Sequence, residues 1–159
     1  MEKILPKIRA LLLKEGYTVA IAESCTGGLV SSLLTQLPGS SQYFLCGVVA
    51  YSNNSKNRLL KVPLALLKEK GAVSGEVARA MAENIKKISG ADLGIGVTGI
   101  AGPGGAIPGK PVGTVFICLT QKNVTTCIKY RFRGNRSQIR NQSAFKALKI
   151  LYNLLVSAV

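Results

Sequence analysis

The chain has 159 residues, of which 47% are hydrophobic and 18% charged, with 17 glycines and a formal net charge of +14. That is globular composition at a length that suits one domain over residues 1–159, able to bury about 70% of its unfolded surface without disulfide or metal staples. There is no histidine and there are only seven acids, the last being Asp92, so His-based triads, the usual His-containing zinc sites and most paired-carboxylate sites are excluded.

The chain opens with Ile4, Leu5, Ile8, Leu11 and Leu12 at helical spacing, closed by Gly16. Residues 18–23 (TVAIAE) form an apolar run of strand length. Ser24 then opens a second helix-like stretch that ends before Pro38-Gly39. Residues 43–51 (YFLCGVVAY) read as a buried strand. Asn53 or Asn54 can cap a short helix over 55–60, and Pro63 fits the first turn of another. Ser74 caps a third, with Val77, Met81, Ile85 and Ile88 on one face. Residues 93–99 (LGIGVTG) form a strand that feeds the glycine-rich loop AGPGGAIPGKP. GTVFICLT and VTTCIKYRF flank Gln121-Lys122-Asn123 and read as a hairpin. The last helix carries Ala144, Leu148, Leu151, Leu155 and Val159 on one stripe.

Strands separated by helices imply an α/β fold: a largely parallel sheet covered on both faces, with one antiparallel member from the hairpin. The four cysteines show no CxxC spacing, and three lie in apolar runs where a reduced thiol behaves as a small hydrophobe. The N-terminal segment carries charges throughout and no small-residue cleavage site. The uncharged stretch 24–55 is too rich in polar residues, glycine and proline for a membrane span. A cytoplasmic, reducing location is expected.

In such a sheet ligands bind beyond the carboxyl ends of the parallel strands. Three uncommon segments fall there: Glu23-Ser24-Cys25-Thr26-Gly27-Gly28, Tyr51 through Lys56, and Thr98 through Gly105. Ser24 stands at a strand-to-helix turn as nucleophile or simple N-cap, with the amides of Thr26, Gly27 and Gly28 behind it to bind an oxyanion or phosphate. Cys25 is the alternative nucleophile, but there is no histidine to activate it. A lysine held near a serine in a desolvated place loses its proton more readily, so Lys56 can act as base. Tyr51 can relay the proton or serve as the base itself. The glycines of the 101–105 loop can form a nest for an anion. Among Arg131, Arg133, Arg136 and Arg140, one can clamp a phosphate bidentately.

The charge is uneven: residues 93–159 hold nine basic and no acidic residues, a field that favours anionic ligands. Without interleaved aromatics it argues against specific nucleic-acid binding.

AESCTGG, PGSS, GVVAYSN followed by Lys56, GAVS, and TGIAGPGG with KPVGTV resemble, in order and spacing, the CinA C-terminal domain family over about residues 4–155. The resemblance, to its stand-alone form, implies a three-layer α/β/α fold with a mixed, mostly parallel five-stranded sheet. It implies metal-free, cofactor-free deamidation of nicotinamide mononucleotide to nicotinate mononucleotide and ammonia, as part of pyridine nucleotide recycling. By motif, Ser24 is the nucleophile and Tyr51 and Lys56 its activating partners. Thr98 and either Arg136 or Arg140 take the phosphate, with Thr26, Gly27, Gly28, Gly102 and Gly104 lining the substrate site. Where the family often has Gly-Asp-Arg, this chain has Gly134-Asn135-Arg136. A homo-oligomer (dimer or trimer) without membrane contact is expected. The alternative reading is a catalytically silent nucleotide-binding domain with a regulatory or competence- and damage-related role.

Overall fold

The computed structural model describes residues 4–157. Its elements in chain order are α1 (Leu5–Glu15), β1 (Val19–Glu23), α2 (Leu29–Leu34), β2 (Phe44–Val49), α3 (Asn53–Leu60) and α4 (Leu64–Lys70). Then come α5 (Gly75–Ser89), β3 (Leu93–Gly99), β4 (Thr114–Gln121), β5 (Val124–Arg131) and α6 (Arg136–Ser157). The sheet order is β2-β1-β3-β4-β5, with β1 parallel to both β2 and β3 and β4 antiparallel to β3 and β5. Four strands run one way and β4 runs against them, so this is a mixed, mostly parallel sheet with helices on both faces.

Strand alternation sorts the core into two layers. Val19, Ile21, Leu93, Ile95 and Val97 face α1, α2 and α6, whereas Ala20 and Ala22 face α3, α4 and α5. On the α5 side β3 presents glycine. A Cβ at Gly96 would collide with the Ala78 carbonyl, so α5 lies directly on the strand backbone. At the lower end, the Thr18 amide and hydroxyl donate to Asp92 at 2.8 and 2.7 Å, which ties β1 to β3 and holds the Asp92 carboxyl below its ordinary range.

Several elements differ from the sequence expectation. The helix opened at Ser24 starts only at Leu29: Gly27 and Gly28 adopt left-handed φ values of 60° and 93°, so residues 24–28 form a turn. The cap of α3 is Ser52, whose hydroxyl accepts from the Ser55 amide in a reciprocal capping box, rather than Asn53 or Asn54. Pro63 precedes α4 as its cap. The strand read as buried is an edge strand with alternating exposure, and Ile88 lies outside the buried face of α5. Cys118 and Cys127, expected as reduced thiols, stand opposite each other in the β4–β5 register and are joined as a disulfide; Cys25 and Cys46 are free. Ser74 caps α5 as expected, accepting from the Val77 amide. Ala144, Leu148, Leu151 and Leu155 form the buried stripe of α6, and Val159 lies outside the described residues. Among the described residues no helix is long and apolar enough to cross a membrane.

The absence of a side chain at position 96 is what lets α5 sit close. Gly96→Ala is expected to destabilise the fold by about 3 kcal/mol through overpacking, read as a lower urea midpoint with an unchanged slope.

Candidate active site

The side-chain parity that puts Ala20 and Ala22 on the α5 face carries Ser24 to that face at the carboxyl end of β1, and Thr98 likewise on β3. The turn is fixed from both neighbours: the Ser24 amide donates to the Val97 carbonyl at 2.9 Å and the Ala50 amide donates to the Glu23 carbonyl at 2.8 Å. The capping box starts α3 immediately after β2, and one turn later its Lys56 points inward.

Lys56 is 1% exposed. Its Nζ lies 3.0 Å from Ser24 Oγ, 3.0 Å from the Ala50 carbonyl and 3.3 Å from the Tyr51 carbonyl. All three neighbours are uncharged. Burial without a carboxylate partner disfavours the ammonium, and the Lys56 pKa is lowered from its ordinary 10.5. The neutral amine fits the same geometry: its two N–H bonds serve the two carbonyls and its lone pair accepts the Ser24 hydroxyl. In that form Lys56 can accept the Ser24 proton.

Around this pair lies a crevice of about 280 Å³, lined by Cys25, Thr98, Gly102, Gly104, Tyr51 and Arg136 as well as by Ser24 and Lys56. Among the described residues its lining holds no carboxylate. Thr98 is buried with its hydroxyl donated to the Ala72 carbonyl at 2.8 Å, which leaves it lone pairs for a ligand but no free proton. At the mouth, Arg136 donates to the Gly102 carbonyl at 2.8 Å and to the Tyr51 hydroxyl at 2.6 Å. Asn135 stands just ahead of α6, and its side chain accepts from the Gln138 amide while Gln138 returns the bond. That reciprocal cap aims Arg136 at the crevice. Tyr51 is 56% exposed and its phenol is engaged by Arg136, so it does not bridge Ser24 and Lys56; only its main-chain carbonyl reaches the lysine.

Cys25 faces the crevice with its thiol pushed up to about 12, chiefly by burial. A thiol so protonated is a poor nucleophile.

Of the three amides expected to bind an anion behind Ser24, those of Gly27 and Gly28 are already engaged. The Glu23 carboxylate, fully buried, accepts from the amides of Gly28 (3.0 Å), Val30 (3.2 Å) and Ser31 (2.8 Å) and from the Ser31 hydroxyl (2.7 Å). The Gly27 amide donates to the Ser24 carbonyl. Arg140 turns away from the crevice, lies against Gly27 and donates to the Thr26 carbonyl at 2.8 Å. Gly27, Gly28 and Arg140 therefore support the turn from behind, and Thr26 joins them through its carbonyl. Sequence reasoning gave Glu23 no role. The only available signal was an acid closing an otherwise apolar strand.

A larger, open cleft of about 430 Å³ lies at the far end of α5, lined by Lys86, Lys87 and Lys122 among others. Its cations are at the surface, whereas the crevice at Ser24 holds three buried polar side chains, the usual mark of a working site.

Residues 1–155 match the sequence pattern of the CinA C-terminal domain, and the chain belongs to that family. It is 50% identical over 150 residues to a CinA-like protein of Geotalea uraniireducens and 49% identical over 151 residues to one of Geobacter sulfurreducens. These matches cover 94% and 95% of this chain but only 36% and 37% of those proteins, so the chain spans little more than a third of their length. Among solved structures, a CinA superfamily protein of Klebsiella pneumoniae superposes with a TM-score of 0.94 at 28% identity, covering 98% of this chain and 97% of that one. The competence/damage inducible protein CihA of Agrobacterium tumefaciens gives 0.89 at 36% identity, over 95% and 94% of the two chains.

The burial of Cys25 makes a direct prediction. In the folded protein at pH 8, iodoacetamide should leave Cys25 unmodified, and denaturation should expose it to alkylation, as read by peptide mass mapping.

Proposed function

We propose that the crevice hydrolyses a carboxamide, and that its substrate is nicotinamide mononucleotide, converted to nicotinate mononucleotide and ammonia. The observation that carries this reading is the 3.0 Å contact between Ser24 Oγ and a buried Lys56 amine with only neutral neighbours. The substrate comes from the family resemblance, supported by a crevice that presents the Arg136 guanidinium and, among the described residues, no carboxylate.

Lys56, neutral, accepts the Ser24 proton as Oγ attacks the carboxamide carbon. The resulting ammonium passes that proton to the departing nitrogen, and ammonia leaves an ester on Ser24. Water then attacks the ester with Lys56 again as base, which frees the carboxylate and restores the hydroxyl. The positive charge of the pyridinium ring makes its carboxamide more electrophilic and so lightens the demand on the serine. Arg136 at the mouth suits the phosphate bidentately, and binding there orients the amide at a distance. Tyr51 thus acts on Arg136, holding the guanidinium until the phosphate arrives.

Purified protein given nicotinamide mononucleotide should release ammonia. Ser24→Ala should lower kcat by roughly 10⁴-fold or more with little change in substrate binding, and Lys56→Ala should do comparable damage without adding to it. Arg136→Ala should raise KM more than it lowers kcat. Wild-type protein that binds the nucleotide but releases no ammonia would leave a silent binding domain instead.

The pH dependence follows from the lysine. The active form is the neutral amine, so kcat/KM should rise with pH through an inflection below 10.5 and be lost on acidification as Lys56 takes up a proton.

A further inference from the structure

Glu23 has a role that the hydrolytic scheme does not use. It is one of only seven acids in a chain of net charge +14, yet its carboxylate makes no salt bridge among the described residues. It is fully buried and accepts four hydrogen bonds, all from the first turn of α2 and its cap. A buried acid that spends its whole acceptor capacity on one helix start is a fastener. What it fastens is the five-residue turn 24–28, whose other end is held by the Glu23 and Ser24 main chain against β2 and β3. Gly27 and Gly28 in that turn are intrinsically loose.

We propose that Glu23 is a positioning residue that sets the Ser24 hydroxyl on Lys56 by pinning both ends of the nucleophile turn. This rests on Ser24 being the nucleophile. A second consequence is specificity: with the α2 start occupied by the protein's own carboxylate, a ligand's anionic group is directed to Arg136 at the crevice mouth. Since misplacement by 1 Å can cost about 100-fold in rate, loosening the turn should weaken Ser24 without touching the chemistry of Lys56.

The test uses an alkyl fluorophosphonate, which needs no nicotinamide substrate. Ser24 Oγ bonds to phosphorus, the P–F bond breaks, fluoride leaves and the serine proton goes to Lys56. Intact mass follows the rate and the final stoichiometry. In Glu23→Gln the rate constant should fall about 10- to 100-fold while labelling still runs to one per chain and the pH inflection stays in place. A plateau below one per chain would mean partial unfolding and would overturn the positioning role, as would labelling at the wild-type rate. Ser31→Ala removes only the 2.7 Å hydroxyl contact; it should show a smaller slowing, and it decides the matter alone if Glu23→Gln does not fold. Wild-type protein that neither labels nor releases ammonia overturns the nucleophile assignment itself, and the positioning role with it.

Discussion

The arrangement depends on one constraint: an amino group held out of water with no negative charge to keep it protonated. A buried, unpaired ammonium is costly, and proteins commonly meet that cost by shifting the pKa until the group is neutral. Around Lys56 two main-chain carbonyls can accept its two N–H bonds and the Ser24 hydroxyl can donate to its lone pair, which satisfies a neutral amine fully. The carbonyls belong to Ala50 and Tyr51, immediately after the β2 edge strand, and the hydroxyl belongs to the residue following β1. The register between two neighbouring parallel strands therefore sets the geometry of the base. Absence of histidine is no handicap to such a site.

Each surrounding feature protects that pair. The capping box at Ser52 starts α3 where Lys56 can turn inward, and glycines in β3 let α5 close over the same face. The strongly basic surface adds a field that draws anions toward the molecule, and in the proposed reading Arg136 is where the crevice takes the anionic group. Glu23, the acid that begins the Ser24 turn, faces the other layer, where the start of α2 occupies it fully.

Much of the fold was legible because apolar runs of strand length and cap residues are local signals. The β1 and β3 runs, the hairpin and the Ser74 cap all appear where their patterns lie. The β2 strand was misread as buried because an apolar run carries no record of whether a further strand lies beside it; only the sheet order makes it an edge. The Cys118–Cys127 pairing was hidden for a related reason, since cross-strand partners are neighbours by register and not by spacing. In the candidate site, Ser24 and Lys56 were readable from the end of a strand and the end of a long uncharged stretch. Tyr51 was placed in the right loop but given the wrong neighbour, because spacing along a chain does not say where a phenol points. The helix start expected to bind an anion was misjudged because the sequence does not show that the preceding glutamate folds back onto it.

The ionisation of Lys56 is the quantity on which the account turns, and ¹⁵N NMR of the lysine side-chain nitrogens measures it without any substrate. The account predicts that the Lys56 resonance, identified by its loss in Lys56→Met, titrates below 10.5. If that resonance titrates at 10.5 or above, the buried amine is an ordinary ammonium and the Ser24–Lys56 pair has no base.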